Sequence, residues 1–330
     1  MKAFVLFVSI LLASQSFAQV LPEEERVYKR LVYNDVVPDG LLSLRSSVFY
    51  ESVYTTAELE EIQKGFQQTG IDAAIYFETA HAMAGYDTRA AYARYLTSRS
   101  IPFLIFLKKV DKEYEFLFTL FNNKNDFVEP SQVTWRMKSF NLNDLLKSIF
   151  RAAINSQKKQ SFLINDFPER EIEIKTIIGK RLESLTKDIN FFKVAIPKFG
   201  EEQADKELEQ YFKDNFPVKY ELVESTADET ELRKKGFLFI LRFIHTNGAV
   251  AKEILGYDQS KSESAITTIK YVNGELQLKT IPVETPIYKF YFKNMEFDNV
   301  HLGPKWDADL LWQDALNNHI QSYRQELKMN

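Results

Sequence analysis

The chain contains no cysteine. That excludes disulfides, thiol catalysis and every cysteine-ligated zinc or iron–sulfur site, so any fold must hold by core burial alone. Histidine is nearly as scarce, with four among 330 residues, and none sits beside a serine nucleophile motif. A serine triad therefore lacks its base. Glycine is low, at 11 residues, which argues against glycine-rich phosphate loops and repetitive β-solenoids. No G-x-G-x-x-G, Walker loop, G-x-S-x-G or H-E-x-x-H occurs. Neither sign of charge dominates: 42 Lys and Arg stand against 46 Asp and Glu, for a net charge of −4. The charges are mixed along the chain, unlike the basic footprint of a nucleic-acid binder. Beyond the first segment no long charge-free apolar run appears, so no transmembrane helix is expected.

That first segment has the three parts of a secretory signal peptide. Lys2 supplies the positive start. Ala3 to Ala13 is apolar apart from Ser9, and Ser16 and Ala18 occupy the −3 and −1 positions of a cleavage site. The apolar run is too short to span a bilayer. Cleavage after Ala18 leaves Gln19 first. With no cysteine there, a lipoprotein anchor is chemically excluded, and the expectation is a soluble, exported protein, in the periplasm first and secreted second.

The rest is rich in Phe (27) and Tyr (16), with 45% hydrophobic residues, enough for about two ordinary domains. Expected limits are a signal peptide at 1–18, an extended lead-in at 19–45, an α/β domain at 46–160 and a second at 161–330. In the first domain, Ser47–Tyr50, Ile71–Phe77, Ile101–Val110 and Tyr114–Phe121 read as strands. Thr55 with Glu58 forms a capping box before the stripe Leu59, Ile62, Phe66. Asp87 caps a second helix, and Asn141 to Ile154 is a third, amphipathic one. In the second domain, the stripe Ile174, Ile177, Ile178, Leu182, Leu185 predicts a helix from Glu169 to about Asp188. A β-α-β-α-β order then recurs over Phe191 to Ile244. Asn273-Gly274 marks a type I′ hairpin with Tyr271 opposite Leu276 and Ile269 opposite Leu278. A helix from about Asp307 closes the chain. The expected class is α/β (α+β): two sandwich domains with mixed sheets and a C-terminal helix.

Four groups of residues carry possible chemistry. Glu78, His81 and Asp87 follow an apolar strand, where open α/β sheets place ligand loops, and carboxylate–imidazole–carboxylate sets hold divalent metals or share protons. The plainer reading is a polar loop with Asp87 as a cap. His245 begins a polar turn after the strand ending at Ile244, a pocket rim or a satisfied turn histidine. Trp306 and Trp312 flank Asp307 and Asp309 and suit sugar stacking, though helix capping by the aspartates and core or interface anchoring by the tryptophans explain them more simply. Lys289, Tyr291 and Lys293 alternate with Tyr288, Phe290 and Phe292, giving either a face for an anionic partner or a gatekeeping lysine face.

The β-α-β-α-β-β-α order over 47–154 resembles the TPM family of exported α/β domains, some of which look like acid phosphatases. The resemblance rests on element order and implies a hydrolase. No acidic metal motif accompanies it. The residues themselves point first to a non-enzymatic binding or interaction module for an envelope protein or complex, without a cofactor. A metal-assisted hydrolase at loop 78–87 and a glycan-binding protein are the alternatives.

Overall fold

A computed structural model describes residues 20–161, 164–170, 172–184, 186–257, 264–272 and 274–328. The expected signal segment with its cleavage site at Ala18, and Leu185 and Asn273, lie outside the described residues. The architecture is mixed α/β, with two six-stranded mixed sheets, a small two-stranded sheet and a C-terminal helix.

The first sheet is built from α1 (Glu23–Tyr28), β1 (Leu31–Asn34), β2 (Arg45–Tyr50), α2 (Thr56–Thr69), β3 (Asp72–Glu78), α3 (Thr79–Ala82), α4 (Tyr86–Ser98), β4 (Phe103–Val110), β5 (Glu113–Leu120), β6 (Gln132–Ser139) and α5 (Leu142–Asn155). Its strand order is β1-β6-β5-β4-β2-β3. The second half comprises β7 (Arg181–Leu182), a 3₁₀ turn at Lys187–Asn190, β8 (Lys193–Pro197), α6 (Glu202–Asn215), β9 (Tyr220–Val223), α7 (Glu229–Lys234) and β10 (Phe237–Asn247). It continues through α8 (Gly248–Ile254), β11 (Ala265–Val272), β12 (Glu275–Pro282), β13 (Pro286–Asn294), β14 (Asn299–His301) and α9 (Trp312–Leu327). Its large sheet runs β7-β14-β13-β10-β8-β9.

The two orders are the same pattern. β7, β8, β9, β10, β13 and β14 stand where β1, β2, β3, β4, β5 and β6 stand, with the same parallel and antiparallel pairings. The helices α2, α4 and α5 occupy the same connections as α6, α7 and α9. What differs is the link after the fourth strand. β4 and β5 are joined by a tight turn with positive φ at Asp111 and Lys112, the geometry that two-residue hairpins require. Between β10 and β13 the chain instead inserts α8 and the β11–β12 hairpin.

Local signals explain most of these elements. The Thr55–Glu58 capping box starts α2, and Gly70 in the left-handed region ends it. The side chains of Asn141, Asp228 and Asn247 accept backbone N–H bonds at the starts of α5, α7 and α8. Leu145, Leu146 and Ile149 of α5 pack with Ile62 and Phe66 of α2 on one face of the first sheet, while Tyr92 and Leu96 of α4 cover the other. In the second sheet, Leu208 and Phe212 of α6 and Leu316 and Ile320 of α9 cover the face carrying Tyr288, Phe290 and Phe292.

Several expected features take another form. The lead-in 19–45 holds α1 and an edge strand, β1, paired in parallel with β6. Among the described residues of 169–188 no α-helix forms. Glu169 pairs beside Ile75 at the edge of β3, and Ile172 and Ile174 pack on the first core. The isoleucines recur at a spacing of two as well as at helical spacing, and β-branched residues favour the extended form. The hairpin register is as expected, with Tyr271 opposite Leu276 and Ile269 opposite Leu278. Burial is uneven, however: the first strand buries Ile266, Ile269 and Tyr271, whereas the second buries Ile281 and leaves Leu278 72% exposed. α9 begins at Trp312 rather than Asp307, because both aspartates are drawn into ion pairs with lysines.

Candidate functional site

The two halves meet where the end of β10 crosses the bend between α3 and α4. Gly85 sits at that bend, and a Cβ on it would lie 2.5 Å from the Phe243 carbonyl oxygen. The His245 N–H donates to the Ala84 carbonyl at 2.7 Å, and the Thr246 hydroxyl donates to the Ala80 carbonyl at 3.0 Å. This backbone contact fixes the first turn of α4 over the second sheet.

Asp87 in that turn anchors a buried ion cluster. Tyr291 donates its hydroxyl to Asp87 at 2.7 Å, and Arg242 and Lys293 each approach the same carboxylate at 3.7 Å. Glu229 accepts from Arg242 at 2.6 Å and from Lys293 at 2.9 Å, and Asp298 lies 3.1 Å from Lys293. Burial pushes the Asp87 carboxyl up, but Lys293 and Arg242 outweigh it and hold it below the usual carboxylate range. The Arg242 guanidinium lies over the Tyr86 ring, 3.9 Å from its centroid.

On the other side of Tyr86 and Arg242 lies a cavity of about 80 Å³. Its wall carries five cations, Arg26, Arg30, Arg89, Lys198 and Arg242, against two carboxylates, Glu23 and Asp126. Each cation is held from the side. Arg26 pairs with Glu201 at 3.0 Å, Arg30 with Asp126 at 2.9 Å, and Lys198 with Glu224 at 2.8 Å. Arg89 bridges Glu23 at 2.9 Å and Asp126 at 3.4 Å. Arg26–Glu201 joins α1 to the residue before α6, so both halves build the wall.

The position follows from the topology. β8 is flanked by β9 and β10, so the chain leaves β8 to one side and returns on the other. Open α/β sheets bind ligands at such a switch point, beyond the carboxyl ends of the strands. Lys198 and Phe199 after β8, and Ser225 and Thr226 after β9, line the cavity.

The residues anticipated from sequence are dispersed. Glu78 and His81 do meet, at 3.5 Å, and His81 also meets Glu253 of α8 at 3.3 Å. The two carboxylates address opposite ring nitrogens, an arrangement that holds an imidazolium rather than one metal ion. Burial pulls the His81 pKa down, but the hydrogen bonds to Glu78 and Glu253 outweigh it and raise the value above normal. Asp87 is committed to Tyr291, Arg242 and Lys293, so the expected Glu78–His81–Asp87 set is not assembled. Among the described residues no group of three His, Cys, Asp or Glu side chains could hold a metal ion. Asp87 is also not a cap, since α4 starts at Tyr86.

His245 stacks on Tyr288 with centroids 3.9 Å apart, and burial lowers its pKa to about 4. Trp312 is buried against Phe199, and Trp306 is half-buried against Tyr257. These contacts give Trp312 no ring face for a sugar. Lys289 and Tyr291 are buried and Lys293 is half-buried, each ion-paired or hydrogen-bonded to a carboxylate, so this strand presents no open lysine face. Lys289 is fully buried, 2.7 Å from Asp307, which in turn accepts from His319 Nδ1 at 2.9 Å.

The cavity arginines were not picked out from sequence. One signal was present: Arg242 interrupts the otherwise apolar run Phe237–Ile244, and a charge inside a buried strand needs a partner or a ligand. A second was the pair Arg26 and Arg30, one on a short helix and one just past its end. Comparison with known protein families and with curated proteins finds no match for this chain.

Proposed function

We propose that the protein is a non-enzymatic binding module, exported to the cell envelope, and that the cleft between its two halves is its binding site. The observation that carries the reading is the cation-rich cavity walled by α1, α4 and the ends of β8 and β9. Arginine stays charged throughout the physiological range, so it binds anionic groups and does not shuttle protons. The two carboxylates of the wall are engaged by arginine. Export is supported by the pattern from Lys2 to Ala18. The metal-hydrolase reading loses Asp87 to the ion cluster, and the glycan reading loses Trp312 to the core.

The test is native mass spectrometry of the chain recovered from envelope extract. The expected result is a non-covalent adduct, released with unchanged mass and absent from a variant carrying Arg89→Gln. Conversion of the retained compound on incubation, or no adduct at all, overturns the reading. Sequencing the recovered chain also checks whether it begins at Gln19.

A further inference from the structure

We propose that the inter-half cavity takes a compact oxyanion, a phosphate or small-carboxylate group, clamped by Arg30, Arg89 and Arg242. The inference rests on the binding reading above and names the chemistry of its ligand.

Three observations point the same way. The first is unspent donor capacity. Arg89 and Arg242 are 9% and 4% exposed, and the Nε–H of each is buried without a hydrogen bond. Arg242 Nε lies 3.7 Å from the Asp87 carboxylate, beyond hydrogen-bond reach. A buried guanidinium donor left unmatched is costly. Both residues line the cavity; Arg242 Nε lies on the Asp87 side, so the donor that an oxyanion in the cavity satisfies is Arg89 Nε. The guanidinium fork matches carboxylate and phosphate oxygens in pairs.

The second is the placing of the carboxylates. Glu201, Glu224 and Glu229 hold Arg26, Lys198 and Arg242 but are not part of the cavity wall. They orient the cations from behind and leave the wall itself with five cations to two carboxylates. The first turn of α4 adds to this. Tyr86 and Arg89 belong to it and line the cavity, so the first turn of a 13-residue helix borders the same space. The hydroxyls of Ser225 and Thr226 complete the polar lining.

The third is size. A water-sized position needs roughly 10–15 Å³ of such volume, so about 80 Å³ admits about five to eight heavy atoms. That range spans inorganic phosphate and succinate and excludes a nucleotide or a sugar polymer from full entry.

The experiment is calorimetric titration of the full mature chain with inorganic phosphate and, separately, with succinate, each at low and high salt. The expected result is saturable one-site binding of at least one of them, weakening with salt. Arg89→Gln and Arg30→Gln each weaken it by about tenfold or more, while the control Arg45→Gln, exposed at the start of β2 and outside the cavity wall, leaves it unchanged. Arg30 is more exposed than Arg89, so its variant reports if Arg89→Gln fails to fold. Preference for phosphate assigns a phosphoryl ligand, and preference for succinate a carboxylate one.

No saturable heat with either anion up to about 10 mM, or Arg30→Gln binding as well as the parent, overturns the proposal. The binding reading survives that outcome if native mass spectrometry still retains another compound. If phosphate binds but the retained compound is turned over, the oxyanion site stands and the non-enzymatic reading falls.

Discussion

Tyr291 on β13 donates a 2.7 Å hydrogen bond to Asp87 on α4, joining the two halves across 204 positions of sequence. Asp87 is the one carboxylate shared by Tyr291, Arg242 and Lys293. Replacing it by Asn leaves two buried cations with Glu229 and Asp298 as their remaining partners. Breaking one side of a buried charge cluster costs about 3–5 kcal/mol. Tyr291→Phe removes only one hydrogen bond and is expected to cost about 1–2 kcal/mol. Urea unfolding of both variants checks the ranking. Equal losses would place the weight on the tyrosine hydroxyl rather than on the charges.

Gly85 tests the same seam through shape alone. Its neighbour is a backbone oxygen, Phe243 O, 2.5 Å from the ideal Cβ position, and backbone cannot rotate away as a side chain does. Gly85→Ala is therefore expected to destabilise by about 1–3 kcal/mol through overpacking. It should also shift α4 and weaken ligand binding in the cleft. A variant as stable as the parent would mean the halves part easily here.

The features legible in the sequence are those whose partners are near in the chain. Thr55 and Glu58 are three residues apart, and the capping box forms as read. Tyr271 and Leu276 are joined by a turn, and the register holds. The misread features are settled by distant partners. Lys289, Tyr291 and Lys293 alternate like a solvated face, yet Asp307 and Asp87 come from elsewhere in the chain to neutralise them. Residues 169–188 satisfy a helical stripe on paper, but the edge of β3 offers Glu169 a backbone partner instead. β6 was missed because its one deeply buried aromatic, Trp135, is surrounded by polar residues that alternate weakly. The repeated sheet is carried by strand order and connection length, and those survive without matching residues.

The histidines give the stability of the protein an opposed pH dependence. Burial lowers the His245 pKa from 6.5 to about 4 and lowers that of His319 as well. Both bind protons more readily in the unfolded chain than in the folded one. The contribution of His245 is complete above about pH 6.5 and is lost as pH falls from there toward 4, and that of His319 is lost in the same direction. His245 alone accounts for on the order of 2 kcal/mol of that loss once partial solvent screening is allowed for. His81 runs the other way. Its raised pKa makes its ion pairs with Glu78 and Glu253 fully stabilising below pH 6.5 and weaker as pH rises through its folded value. Glu253 is well exposed, so that term is about 0.5 kcal/mol. Melting curves from pH 4 to 9 are expected to show a steep acid flank that His245→Gln flattens. His81→Gln should remove a slight loss on the alkaline side. An acid flank unchanged in His245→Gln would show that this histidine is not the buried neutral group described here.

Lys289 offers the clearest separation between a pair that stabilises and a pair that is merely compensated. Its ammonium and the Asp307 carboxylate are both fully buried, 2.7 Å apart. The ammonium also donates to the carbonyls of Phe290 and Leu302 at 2.9 and 2.6 Å. Burial pulls the Lys289 pKa down. Lys289 and His319 together hold that of Asp307 low against its own burial. Lys289→Met strands the carboxylate, and the expected cost is about 3–5 kcal/mol. Asp307→Leu strands the ammonium with a similar cost. Replacing both at once removes the desolvation of two charges, and the double variant is expected to recover most of the loss, within about 1–2 kcal/mol of the parent. His319 keeps the recovery incomplete, because its Nδ1–H then lacks an acceptor. A thermodynamic double-mutant cycle reads this directly. Additive losses in the double variant would mean that the lysine and the aspartate act independently, each through its own backbone and histidine contacts.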